Sequence, residues 1–166
     1  MLAAARKALR VDSRNGDRAR NWDKKLTRSP PNVLEQAPPL FEALTATERL
    51  GAVLGLHTHV TRAAMSLGQV QRAAQAASAA VELLDTGHAP DGMYRAEVHL
   101  TAARALHAAG QLADAERILE AGRRWVRQRA LPHVPAAFID SFLRRNAVNA
   151  ALLGPATAWQ RGIHPG

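Results

Sequence analysis

The 166-residue chain contains no cysteine, which excludes a disulfide framework, a thiolate metal site and a cysteine nucleophile. Aromatic residues are scarce, at 4% against a hydrophobic content of 47%. Alanine carries much of that apolar share, which suits closely packed helices better than sheets, where branched and aromatic side chains dominate. No apolar run approaches the roughly 18 residues of a membrane span. The opening MLAAARKALR lacks the continuous apolar stretch of a secretory signal. Its Arg-rich, acid-poor character is shared with transit peptides, but a short helix from a truncated repeat accounts for it equally well. A cytoplasmic location fits these absences. Phosphate-binding glycine loops, a nucleophile elbow and a zinc-binding His-Glu-x-x-His are also missing, and acidic residues are scattered singly, so no enzyme, metal or cofactor is expected.

Basic charge is present, with a formal net of +8, and would suggest nucleic acid if it were spread over one surface. It is concentrated instead at one end. Residues 1–28 hold nine Lys/Arg against three Asp, a net of +6, whereas the remaining 138 residues hold thirteen Arg against eleven Asp/Glu, a net of +2. Residues 1–38 therefore read as a basic, proline-containing leader that is largely unfolded or a remnant helix. In RSPPNVLEQAPP two proline pairs argue for extended backbone and a linker.

Residues 39–154 read as one all-α domain and 155–166 as a disordered tail. Thr45 and Glu48 have the spacing of a capping box, which predicts a helix from about Thr47 to Leu67. Leu50, Val53, Leu54, His57, Val60, Ala64 and Leu67 give that helix one apolar face, and Gly68 ends it. Further helices are predicted over Gln69–Leu84, Met93–Ala109 and Leu112–Arg129, with Gly110 dividing the last two. A shift of 42 residues superposes the two pairs without a gap: His57 on His99, Arg62 on Arg104, Ala63 on Ala105, Gly68 on Gly110, Gln69 on Gln111 and Ala73 on Ala115. Alanine and glycine at these places let two helices cross at the short end of the roughly 8–10 Å range.

HLTAARALHAAGQLADAERILEAG resembles a tetratricopeptide repeat. Ala103 takes the small position between the helices, Gly110 the turn, Ala115 the family's characteristic alanine, Leu119 the large apolar position and Gly122 the next small one. The upstream copy offers Thr61, Gly68, Ala73, Ala77 and Ala80 in the same roles. His57 and His99 replace the family's usual aromatic, and no proline closes either copy, a departure that fits the longer repeats of bacterial regulators. The resemblance covers about 75 residues. It implies antiparallel helix hairpins in a short right-handed α-solenoid. A short helix carrying Phe138, Ile139, Phe142 and Leu143 would cap the last repeat, with Trp125 turned toward it. The segment beyond Trp125 is similar to those that follow such arrays in large bacterial ATPase-linked or transcriptional regulators, where proline commonly stands at the position of Ala147.

Few residues invite chemistry. His57 and His59 lie about 200° apart on a helix and cannot share a metal ion; His57 belongs in the apolar stripe and His59 toward solvent. In RRWVRQR, Arg123, Arg124 and Arg127 share a helical face with Glu116 and Glu120, and Glu120–Arg124 has the favourable i, i+4 order, so a solvated ionic face is expected rather than a nucleic-acid surface. The resemblance implies a protein or peptide ligand on the first helix of each hairpin, held by Arg62 and Arg104, with Met65, Leu100 and His107 nearby. Both arginines are expected to be exposed and to fork onto an acidic segment or a terminal carboxylate. Scaffolding within a bacterial signalling or transcriptional regulator is the function expected; nucleic-acid association through the basic leader is the alternative. With only two hairpins the first helix should leave an apolar edge uncovered, which favours self-association.

Overall fold

In a computed structural model, residues 29–155 and 159 are described, and their regular structure is entirely helical. The helices are α1 (Pro30–Thr45), α2 (Leu50–Ser66), α3 (Val70–Asp85), α4 (Arg95–Ala108), α5 (Leu112–Trp125) and α6 (Ala147–Leu153). Between α5 and α6 the chain makes π-helical turns at Val126–Ala130 and Ser141–Arg145 and 3₁₀ turns at Leu131–His133 and Ala136–Phe138. Each of α1 to α5 packs on its neighbour in sequence; α2 also packs on α4, and α6 rests on both α4 and α5. Helix α4 is therefore surrounded by α2, α3, α5 and α6.

A linker was expected over residues 28–39; of these, Ser29 stands at the N-cap of α1 and 30–39 form its first part. Pro30 and Pro31 occupy the opening positions, where a missing N–H costs nothing. Pro38 and Pro39 lie inside the helix, and the lack of an N–H at Pro38 leaves the Leu34 carbonyl without its helical donor. Arg72 of α3 fills that gap, its guanidinium donating to Leu34 O at 3.1 Å. Val33, Leu34, Ala37 and Leu44 are buried, and Phe41 lies against the ring of His57 with centroids 4.4 Å apart. This packing outweighs the proline penalty, and α1 covers the edge of α2 from which self-association was expected. The predicted boundary at residue 38 falls within this helix.

Three short helix-to-helix turns share one backbone shape, and α3 is stopped in the same way, with Gly87 at φ 95° and His88 donating to Leu83 O. Gly68 and Gly110 have φ of 69° and 79°, and the following residues, Gln69 and Gln111, donate to carbonyls five residues back, Ala64 O and Leu106 O, as in a Schellman stop. The α1–α2 turn repeats it: Glu48 has φ 54° and Arg49 donates to Leu44 O. The Thr45–Glu48 capping box is thus not formed. Thr45 is the last residue of α1, and Glu48 takes the left-handed position that glycine holds in the other two turns. Since a non-glycine residue pays about 1 kcal/mol there, Glu48→Gly is expected to raise stability by roughly 0.5–1 kcal/mol. Chemical denaturation would show it as a higher midpoint at unchanged slope.

The elements after α5 differ from the single capping helix expected. Phe138 is 62% exposed and Ile139 37% exposed. The ring paired with Trp125 is that of Tyr94, edge-on at 5.4 Å. The covering element is α6, locked by fully buried Asn149. Its side chain accepts from the Tyr94 hydroxyl at 2.9 Å and donates to Phe142 O at 3.0 Å. Arg123 Nε donates to Leu152 O at 2.8 Å, satisfying one of the last carbonyls of α6. The same guanidinium meets Glu116 at 3.4 Å and Glu120 at 3.7 Å, so Arg123 rather than Arg124 makes the pair with Glu120.

Candidate peptide-binding face

Glu97, Leu100, Arg104 and His107 recur at steps of three and four along α4 and so form one stripe of the helix. Arg62, on α2, pairs with Glu97 in the first turn of α4, where a carboxylate also meets the positive end of the helix dipole. Two turns on, Arg104 Nε donates to the main-chain carbonyl of Trp159 at 2.7 Å. One turn further, the His107 ring stands edge-on to the Trp159 indole, with centroids 5.1 Å apart. The indole is 4% exposed.

Burial, followed by the nearby positive charge of Arg62, lowers the pKa of Arg104 below the ordinary guanidinium value. It stays cationic, as arginine does in proteins, and a cation in partial burial gains most from a fixed acceptor. The face thus offers a charge-assisted donor aimed at a peptide carbonyl and an imidazole edge beside an aromatic ring. In the structure both groups are engaged by Trp159 of the same chain, through its main-chain carbonyl and its ring.

The five residues expected to line the site fare differently. Arg62 and Arg104 do lie close together, but neither is exposed: both are half-buried, one held by Glu97 and the other by Trp159. The apolar stripe of an isolated helix suggests an opposite, solvated side. For α4 that inference fails, because helices pack around most of its circumference and Ala96, Val98, His99, Leu100, Ala102, Ala103, Ala105 and Leu106 are all buried. Leu100 is in the core at 4% exposure, and Met65 packs against that core. His107 is half-buried and meets Trp159. His59, expected to face solvent, is half-buried. Glu97 and Trp159 were not singled out in the sequence. Trp159 carried a weak signal as the one aromatic residue of the segment 155–166, and its burial departs from the disordered tail expected there. The rest of that segment beyond Pro155, and the basic residues 1–28, lie outside the described residues.

An open concavity of about 360 Å³ is lined by Val134, Phe138, Ser141, Phe142, Arg145 and Asn146. It shares no residue with the α4 stripe. Among the described residues no three His, Asp or Glu side chains come together as metal ligands, and no helix is long and apolar enough to cross a membrane.

Fold and face together define a class: an all-α protein of packed neighbouring helices in which two hairpins share a repeated turn. No family model matches the chain, and no curated protein or solved structure matches it.

Proposed function

We propose that this chain is a protein-binding scaffold of tetratricopeptide type, a cytoplasmic module of a bacterial signalling or transcriptional regulator, which takes up a peptide segment along the face bearing Arg62, Glu97, Arg104 and His107. The observation that supports this reading is the bond from Arg104 to the main-chain carbonyl of Trp159. A guanidinium held toward a backbone carbonyl beside an aromatic contact recognises peptide as a chemical class. The pairing of Arg62 with Glu97 neutralises one of the two charges, so the preference shifts from carboxylate-rich segments toward backbone carbonyls and aromatic side chains.

Selection of a random-peptide display library on the full chain tests the proposal. Enriched peptides should converge on a shared pattern, and Arg104→Glu should weaken their binding at least tenfold while the helical circular dichroism is retained. This single reversal is preferable to one at Arg62, where a glutamate would face Glu97 and disturb the α2–α4 contact itself. Failure to converge, or equal binding to the reversed variant, removes the face from consideration.

A further inference from the structure

The 42-residue correspondence between the two hairpins assigns Arg62 and Arg104 to the same position, yet their partners differ in kind. Arg62 reaches a carboxylate of the following hairpin, Glu97. The position equivalent to Glu97 one repeat later is Ile139, an apolar residue that is 37% exposed. Arg104 therefore has no repeat-equivalent acid, and the acceptor it uses comes from far along the chain, at Trp159. On this flank of α4, Trp159 stands against Arg104 and His107 where a further hairpin would lie.

Helix α6 ends at Leu153 and Pro155 is exposed. Among the described residues, Trp159 is held by burial of its indole in the main core, by the bond from Arg104 and by the His107 ring. All the polar features of the site, a guanidinium donor and an imidazole edge, would be met equally by a tryptophan on another chain.

We infer that Trp159 is a built-in ligand: it occupies the peptide site in cis, and the partner is a segment carrying a tryptophan that displaces it. This rests on the peptide-binding reading above and adds to it the residue recognised and the regulation of the site. The isolated chain is self-occupied, and its affinity for a partner is lowered by the fraction of time that Trp159 is in place.

The probe is a fluorescein-labelled peptide with the sequence of residues 154–166, together with a control in which its tryptophan is alanine. Binding is read by fluorescence anisotropy on the full-length chain and on its Trp159→Ala variant. The peptide should bind the variant at least tenfold more tightly than the wild type. The control peptide should not bind, and adding Arg104→Gln to the variant should weaken binding at least tenfold. Equal affinity of the peptide for wild type and variant, or no binding to a variant that keeps its helical spectrum, overturns self-occupancy. If Trp159→Ala does not fold, the wild type labelled with 5-fluorotryptophan decides. Its Trp159 ¹⁹F signal, assigned with Trp159→Phe, should move to the solvent-exposed position on adding millimolar unlabelled peptide, and an unmoved signal overturns the inference. Should self-occupancy fail while library peptides still bind in an Arg104-dependent way, the peptide-binding reading stands alone; if neither binds, both fall.

Discussion

Deletion of residues 1–38 is expected to lower the thermal midpoint by roughly 10–20 °C, the opposite of what a disordered leader would do. The cut removes the first half of α1 and with it buried Val33, Leu34 and Ala37, and it leaves Arg72 without the Leu34 carbonyl. Truncating one large core side chain costs about 2–5 kcal/mol. Losing three apolar residues and uncovering α2 should cost on the order of 5 kcal/mol, which corresponds to roughly 10–20 °C for a protein of this size. Deleting residues 1–28 alone removes none of the described contacts and serves as the reference, so the difference between the two truncations isolates residues 29–38. Equal midpoints by calorimetry would mean that the α1 packing contributes nothing.

The second large effect is a loss of stability in mild acid centred on His99. This side chain is 5% exposed, lies against Gly122 of α5, and leaves no room there, since a Cβ on Gly122 would sit 2.8 Å from its own Cβ. Among the described residues its Nδ1 has no hydrogen-bond partner, nor has Nε of Arg95 one turn earlier. Burial first, and then the positive charge of Arg95, lower the His99 pKa to about 4, with Asp85 acting weakly in the opposite direction. A base whose pKa is lower in the folded state than in the unfolded chain destabilises the fold as it is protonated. Stability from this group is thus complete above the unfolded value near 6.5, falls as the pH drops from there toward 4, and levels off below. The full change is about 3 kcal/mol, of which roughly 2 kcal/mol is lost by pH 5.

His57 adds in the same direction, its pKa lowered by burial, so the contribution of His99 is read from a comparison. His99→Phe places an aromatic ring in the same slot without a titrating nitrogen. Its denaturation midpoint should fall less than that of the wild type between pH 7 and pH 5. Parallel curves for the two proteins would show that His99 is not the acid-sensitive group.

Both expectations turn on the same division between local signal and packing. Four of the helices were legible in the residues because their evidence is local. Gly68 and Gly110 are left-handed stops within two hairpins, Ala73 and Ala115 are small residues at a crossing, and the stripe from Leu50 to Val60 carries the 3.6-residue period. The 42-residue correspondence was equally legible, and it identified the equivalence of Arg62 and Arg104. Proline and capping rules, by contrast, misplaced the start of the fold. They weigh backbone chemistry over a few residues, whereas α1 is held by Val33, Leu34 and Ala37 against α2 and by Arg72 reaching across from α3. Glu48 fulfils a capping spacing in sequence but takes a left-handed stop in space, because the chain must reverse there to lay α1 against α2. The candidate face shows the limit most sharply. Composition and periodicity determined that the chain is all-α, that its hairpins repeat, and that two arginines are equivalent. Which atoms those arginines meet, Glu97 for one and the carbonyl of Trp159 for the other, was decided only by tertiary structure, because a partner 35 or 55 residues away leaves no trace in local pattern.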